Sequence, residues 1–333
     1  MPNIFICFIR ALFFAIFAIV AGCAGAQANE HPPVRIDVGG TTLNSILVKG
    51  GKKAELPPIV FIHGASTSLY DPMLSFRRKL QGSADLLFVD RPGHGSSDAG
   101  SPRKLLPDDQ ADAIARLMEA RGIGKAVIVG HSFGGAIAAA LAIRHPEKVA
   151  GLVFLSPAVY PWDGGVAWYY DAVTAPITGP LLSTFIAPPI GLAAIDRATR
   201  AVFWPNQPPK NYIRDTRALQ ALRPAAFRHN AMEVAALSDW AQTASINYRR
   251  IKVPTVIITG DADKIVSPTV HARHLARDIA GSKLIVVRNL GHKSDYVASD
   301  LAIEAIKKIA GRKSRLETVL KITELRIADD GKR

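Results

Sequence analysis

The chain has 333 residues, 48% of them hydrophobic, and a formal charge of +13. That length suits one large domain with insertions or two small ones, and the apolar content excludes global disorder. The positive charge is scattered over Arg77-Arg78-Lys79, the arginines between Arg197 and Arg250, and the run Lys307 to Arg315. With no nucleic-acid motif beside it, it reads as a solvated basic surface and excludes nucleic acid as the expected partner.

Residues 1–28 read as a leader and not as fold. They carry one charge, Arg10, followed by the apolar run Ala11 to Ala21. Ala26-Gln27-Ala28 is an A-x-A site for signal removal. Val20-Ala21-Gly22-Cys23 fits a bacterial lipobox with Cys23 as the lipidated residue. A retained anchor is the third reading, opposed by Arg10 in its middle. The expectation is export, to the periplasm, the medium or a membrane-anchored state, with membrane association through the N-terminus. The two cysteines, Cys7 and Cys23, both lie in this leader. The body therefore has no intramolecular disulfide and no cysteine-ligated metal site.

From there short apolar runs alternate with helical patterns. "VRIDV" and "LNSILV" predict two strands joined at Gly39-Gly40. "PIVFIHG", ending at Gly64, and "LLFVD", ending at Asp90, are further strands. Pro107 to Gly122 reads as a helix, with acids at its start and glycine after its end. "AVIVG" is a strand, Phe133 to His145 a helix stopped before Pro146, and "AGLVFLSP" the next strand. "PTVIITG" and "KLIVVRN" follow much later. Near-continuous apolar strands alternating with helices predict an α/β architecture, a mostly parallel central sheet with helices on both faces. The rhythm breaks between Ala158 and Asn247, a block holding all four tryptophans (Trp162, Trp168, Trp204, Trp240). It predicts a helical cap insertion over one end of the sheet. The expected division is 29–157 and 248–310 for the core, 158–247 for the cap and 311–333 for a basic terminal extension. Leu316, Val319, Leu320 and Ile327 give that extension a helical apolar face, which packs on the body or lies on a membrane surface.

The residues that carry chemistry begin at Gly130-His131-Ser132-Phe133-Gly134. A serine between glycines at a strand-to-helix change allows three readings: a turn, an anion loop, or a nucleophile. A Walker-type phosphate loop needs a lysine after its last glycine, and Ala136 follows Gly135. A tight turn here holds a serine clear of the backbone, and the next helix aims free amides and its dipole at the site.

With those residues the chain resembles the α/β-hydrolase superfamily, from about Val34 to Ala310. Gly130 to Gly134 matches its nucleophile elbow, and the resemblance implies the α/β-hydrolase fold. It also implies Ser132 as nucleophile, with Phe133 N–H as one oxyanion-hole donor. His63-Gly64-Ala65 maps the second donor to Ala65 N–H, with His63 shaping the loop. "GDADKIVSP" gives Asp263 as the acid, with Asp261 two positions too early and Asp163 a distant alternative. "NLGHKSD" gives His292 as the general base. The chain order Ser132, Asp263, His292 is the order of these hydrolases. "DRPGHGSSD" contributes His94 and Asp98 as loop hydrogen-bonding residues. The implied activity is hydrolysis of a carboxylic ester of an apolar small molecule through an acyl-enzyme, with no cofactor and no metal. Serine at the elbow argues against the dehalogenase and epoxide hydrolase relatives, which use aspartate there. Lipase, lactonase, amide or carbon–carbon hydrolysis, perhydrolysis and acyl transfer remain open, as does a non-catalytic binding protein on the same scaffold. Trp168-Tyr169-Tyr170 reads as pocket wall or as packing between cap and body.

Overall fold

A computed structural model describes residues 31–101, 105–163, 172–176 and 178–332. The expected leader with Cys23 and Ala28, and Trp168-Tyr169-Tyr170, lie outside the described residues. Of the unit Met1–Pro32 only His31 and Pro32 are described, and everything below belongs to the unit Pro33–Arg333.

The strands are β1 (Val34–Asp37), β2 (Thr42–Val48), β3 (Ile59–Ile62), β4 (Leu86–Val89), β5 (Ala126–His131), β6 (Val149–Leu155), β7 (Thr255–Gly260) and β8 (Lys283–Val287). Among the described residues they form one sheet in the order β1-β2-β4-β3-β5-β6-β7-β8. β1 pairs antiparallel with β2, and β2 antiparallel with β4; every other pairing is parallel. The sheet is mostly parallel, as the strand pattern predicts, and the fold is the α/β-hydrolase fold that the resemblance implies. Pairing is in phase with burial. Val60, Ile62 and Ile128 point into one core with Ile114, Leu117, Ile137 and Leu141. Ile59, Phe61, Val127 and Val129 point into the other with Phe76, Phe88 and Leu301. Strands covered on both faces cannot alternate polar with apolar, which is why they read as solid apolar runs.

The covering helices are α1 (Tyr70–Leu80), α2 (Pro107–Ala120) and α3 (Phe133–Arg144). In α2, Pro107 occupies the first turn with Asp108 and Asp109, where a missing N–H costs nothing and negative charge meets the helix dipole. Helix α1 is not signalled by sequence. Its Pro72 and the run Arg77-Arg78-Lys79 interrupt the apolar pattern, while Phe76 and Leu80 bury its inner face.

Between β6 and β7 lie α4, the continuous helix Thr178–Phe203, and α5 (Pro224–Ala244). After β8 come α6 (Ser299–Ile309) and α7 (Leu316–Ile327). The terminal extension packs on the body: Leu316 and Ile327 are buried in the second core with Val319 and Leu320 against it. Glu324 pairs with Arg288 at 2.9 Å, and Glu317 with Lys283.

In a sheet of this winding, loops after the parallel strands' carboxyl ends converge on one edge. Gly64-Ala65 follows β3, Ser132 follows β5, Asp263 follows β7 and His292 follows β8.

Candidate active site

Ser132 sits between β5 and α3 with φ 53° and ψ −118°. A non-glycine residue there stores on the order of 1–3 kcal/mol of strain and persists only where its surroundings enforce it. They do so here. Ser132 N–H donates to Leu155 O at 3.0 Å, and its carbonyl accepts from Gly135 N–H (2.9 Å) and Ala158 N–H (3.1 Å). The flanking glycines are steric necessities. A Cβ on Gly134 would be driven into the carbonyl oxygen of Ile62, and one on Gly130 into that of Gly134. Gly64 also lies against the serine, since a Cβ built on it would stand 3.2 Å from Ser132 Cβ. Among the described residues, neither the Ala65 nor the Phe133 N–H donates a hydrogen bond. Two free amides therefore flank the serine, one at the amino end of α3.

Asp263 and His292 come together from separate loops. Asp263 Oδ2 lies 2.8 Å from His292 Nδ1, while Oδ1 accepts the N–H groups of Ile265 and Val266, each at 2.9 Å. Burial works to raise this carboxyl, but His292 and the hydrogen bonds outweigh it and hold it below its usual range. An ionised Asp263 assigns the proton of a neutral His292 to Nδ1 and leaves Nε2 as an acceptor. Asp261 instead accepts the Asn289 N–H at 2.8 Å and so fastens the His292 loop, and Asp163 is exposed. Gly291 N–H donates to Asn206 Oδ1 at 2.9 Å, and Ala262 N–H to Leu290 O at 3.1 Å. His131, next to the serine, has its Nε2 3.0 Å from the His292 carbonyl, with the two rings 4.9 Å apart. The elbow and the Asp263–His292 pair are thus in contact.

Beneath this contact is a buried charge cluster that the sequence did not reveal. Lys293 Nζ lies 2.7 Å from Asp71 Oδ2 and 2.9 Å from Asp295 Oδ2. Tyr212 OH donates to Asp71 Oδ1 at 2.7 Å. Asp71, His131 and Asp295 offer ligand atoms within 4.8 Å of one another, a spacing that suits a metal ion. The Lys293 ammonium already gives both carboxylates a cation, and they hold it well above its usual range against the pull of burial. Burial and then Lys293 keep His131 well below its usual range, so it is a neutral spacer between the serine and the histidine loop.

A second buried network ties α5 to the loop after β3. Arg91 and Glu233 are fully buried, with Nη1 3.0 Å from Oε1. Gln110 Nε2 donates to the same carboxylate at 2.6 Å, and His94 Nε2 lies 2.7 Å from Oε2. Arg91 Nη2 also donates to Gly64 O at 3.1 Å, and its guanidinium lies 4.4 Å above the Phe133 ring. His63 accepts the Arg91 N–H at Nε2 (3.1 Å), so its Nδ1–H donates to Gly64 O at 2.8 Å. From α5, Asn230 Oδ1 accepts the Ser66 N–H at 2.7 Å. Burial opposes ionisation of Glu233, but Arg91 and His94 hold it well below its usual range. Burial, then Arg91, lowers His94 to about 4, so Arg91 and Glu233 balance as one cation and one anion. His94 belongs to this network, whereas Asp98 pairs with Arg35 at 2.5 Å on the surface. A "DRPGHG" loop marks Arg91 and His94 as neighbours, but nothing local marks their partner Glu233.

The family model for the alpha/beta hydrolase fold matches residues 57–296. Lipase LipV of Mycobacterium tuberculosis is 47% identical over 86 residues, 26% of this chain and 32% of that protein. The chain thus spans about a third of LipV's length in that match. The 2-(acetamidomethylene)succinate hydrolase of Mesorhizobium japonicum is 27% identical over 82% of this chain and 92% of its own. The enol-lactonase structure from Burkholderia xenovorans LB400 superposes with a TM-score of 0.64 at 23% identity, covering 84% of this chain and all of that one (100%). With a family match across most of its length and the sheet order and loop placement described above, the chain belongs to the α/β hydrolase fold family.

Proposed function

We propose that the protein is a serine hydrolase that cleaves a carboxylic ester of an apolar small molecule through an acyl-enzyme. The observation that carries this reading is Ser132 held at positive φ against two undonated amides, with its neighbour His131 in contact with the loop of a hydrogen-bonded Asp263–His292 pair. His292 Nε2 takes the proton of Ser132 Oγ as that oxygen attacks the ester carbonyl. The carbonyl oxygen becomes an oxyanion, accepting the N–H groups of Ala65 and Phe133. His292 then returns its proton to the departing alcohol oxygen, leaving the acyl group on Ser132. A water gives its proton to His292 as it attacks the acyl carbon; His292 passes that proton to Ser132 Oγ as the acyl–oxygen bond breaks, releasing the carboxylic acid and the free serine. Asp263 stabilises the imidazolium through both half-reactions. The similarity to a lipase supports an ester as the acyl donor. We further infer that the helices between β6 and β7 act as a cap whose register on the core is set by Arg91–Glu233.

The test is turnover of p-nitrophenyl esters of increasing acyl length by the protein, Ser132→Ala and His292→Ala. Wild-type turnover with a loss of about 10⁴-fold or more in both variants is expected. Equal rates in all three would remove the esterase reading, and the chain-length profile defines the acyl pocket.

A further inference from the structure

Helix α4 is built inside out. Every fourth residue along it, Gly179, Ser183, Ala187, Gly191, Ile195 and Thr199, is buried or half-buried against the protein. Most of these are small, and they let the helix approach closely: a Cβ on Gly191 would stand 2.5 Å from a Leu222 methyl. Five large apolar side chains lie on the other face, while Phe203 at the helix end is buried in the core. Leu181 is 59%, Phe185 68%, Ile186 49%, Ile190 62% and Leu192 59% exposed. A surface helix of a soluble domain does the opposite, turning its large apolar residues to the core. Single exposed apolar residues are ordinary, but a contiguous row along one helix is a contact surface. Among the described residues this is the one helix both long and apolar enough to cross a membrane, at 26 residues. Its inner face is taken by protein, so it can lie on a bilayer but not cross it.

The charge around the row indicates which surface covers it. Between Thr178 and Arg228 the sequence has seven Lys and Arg residues and two acids, Asp196 and Asp215. Arg197 and Arg200, one and two turns beyond the apolar row, are exposed, and Asp215 is already paired with Arg214 at 2.9 Å. An apolar face bordered by cations matches an interfacial helix, which sinks its side chains among acyl chains and sets its cations among anionic headgroups. A second copy would bring a like-charged surface against the same arginines. The helix ends at Trp204, whose carbonyl lies against Gly291, immediately before His292. The row therefore leads to the loop that carries the candidate base.

We propose that the outer face of Thr178–Phe203 docks on an anionic lipid surface. The proposal stands whether or not the bond cleaved is an ester. The test uses the full chain carrying Cys7→Ser and Cys23→Ser, with Ile190→Cys labelled by an environment-sensitive fluorophore. It is titrated with vesicles of phosphatidylcholine alone or mixed with phosphatidylglycerol. A blue shift is expected at roughly tenfold less lipid with the anionic vesicles, an advantage that Arg197→Glu/Arg200→Glu removes. In a cosedimentation arm, Phe185→Asp/Ile190→Asp is expected to weaken vesicle binding tenfold or more relative to the unsubstituted chain. That variant should keep the Tm and circular dichroism spectrum of the unsubstituted chain, which shows that it is folded. Ser132→Ala should keep the full lipid response, which separates this proposal from the hydrolase reading. No spectral shift with either vesicle overturns the proposal. So does a shift that follows protein concentration without lipid and coincides with a dimer in sedimentation, which assigns the face to a second copy.

Discussion

Asp263→Asn is expected to lower kcat on a short-chain ester by about 10⁴-fold, with the fold intact. The reason lies in what holds the carboxylate. Oδ1 already accepts two backbone N–H groups, from Ile265 and Val266. An asparagine there must place its carbonyl oxygen in that position, because its NH2 cannot accept. The NH2 then faces His292 Nδ1, where Oδ2 now stands 2.8 Å away. Nδ1 must become the acceptor, which moves the imidazole proton to Nε2 and removes the base. Loss of the charge-assisted bond costs about 1–3 kcal/mol of stability besides. The effect therefore separates into a large fall in kcat and a modest fall in Tm. A kcat within tenfold of the parent would show that Asp263 does not set the tautomer of His292.

Glu233→Ala is expected to be the most destabilising single substitution outside the apolar core. It leaves the Arg91 guanidinium buried without its counter-ion and strips Gln110 and His94 of their shared acceptor. Breaking one half of a buried pair costs about 3–5 kcal/mol. In a domain of this size that corresponds to a Tm lower by roughly 10 °C. Removing both charges together, as Arg91→Met/Glu233→Leu, should recover most of the loss, because no uncompensated charge remains. The single variant should also lose activity beyond what its stability explains, since Arg91 donates to Gly64 O and covers the Phe133 ring. Thermal unfolding of the three proteins checks this. A single variant as stable as the parent would mean that the network does not hold α5 to the sheet's loops.

The contrast between these two sites shows what sequence can carry. Strands buried on both faces are legible because they must be apolar throughout, and β3, β5 and β7 all read so. The elbow is legible because backbone geometry restricts Gly130 and Gly134 to glycine. Asp263 and His292 follow strands, so the resemblance could number them. The buried pairs had no such signal. Arg91 and Glu233 are 142 residues apart, and Lys293 and Asp71 are 222 apart. A lone acid in a helix reads as surface until its partner is seen across the fold. Helix α1 was hidden by Pro72 and three consecutive cations. Helix α4 was obscured differently: an apolar pattern does not reveal whether its large side chains face inward or outward. Trp204 and Trp240 of the helical block have unlike surroundings. Trp240 is buried and donates to Asp108 at 3.1 Å, while Trp204 is half-exposed beneath Lys264.

A fluorophosphonate probe tests whether Ser132 is an activated nucleophile without knowledge of the substrate. Such a probe reacts with a serine whose proton a neighbouring base removes and whose adduct oxygen the oxyanion donors hold. Intact mass and peptide mapping should show one adduct, on Ser132, absent in Ser132→Ala and formed far more slowly in His292→Ala. An unlabelled protein, or an adduct that maps to another residue, would show that Ser132 is not the nucleophile.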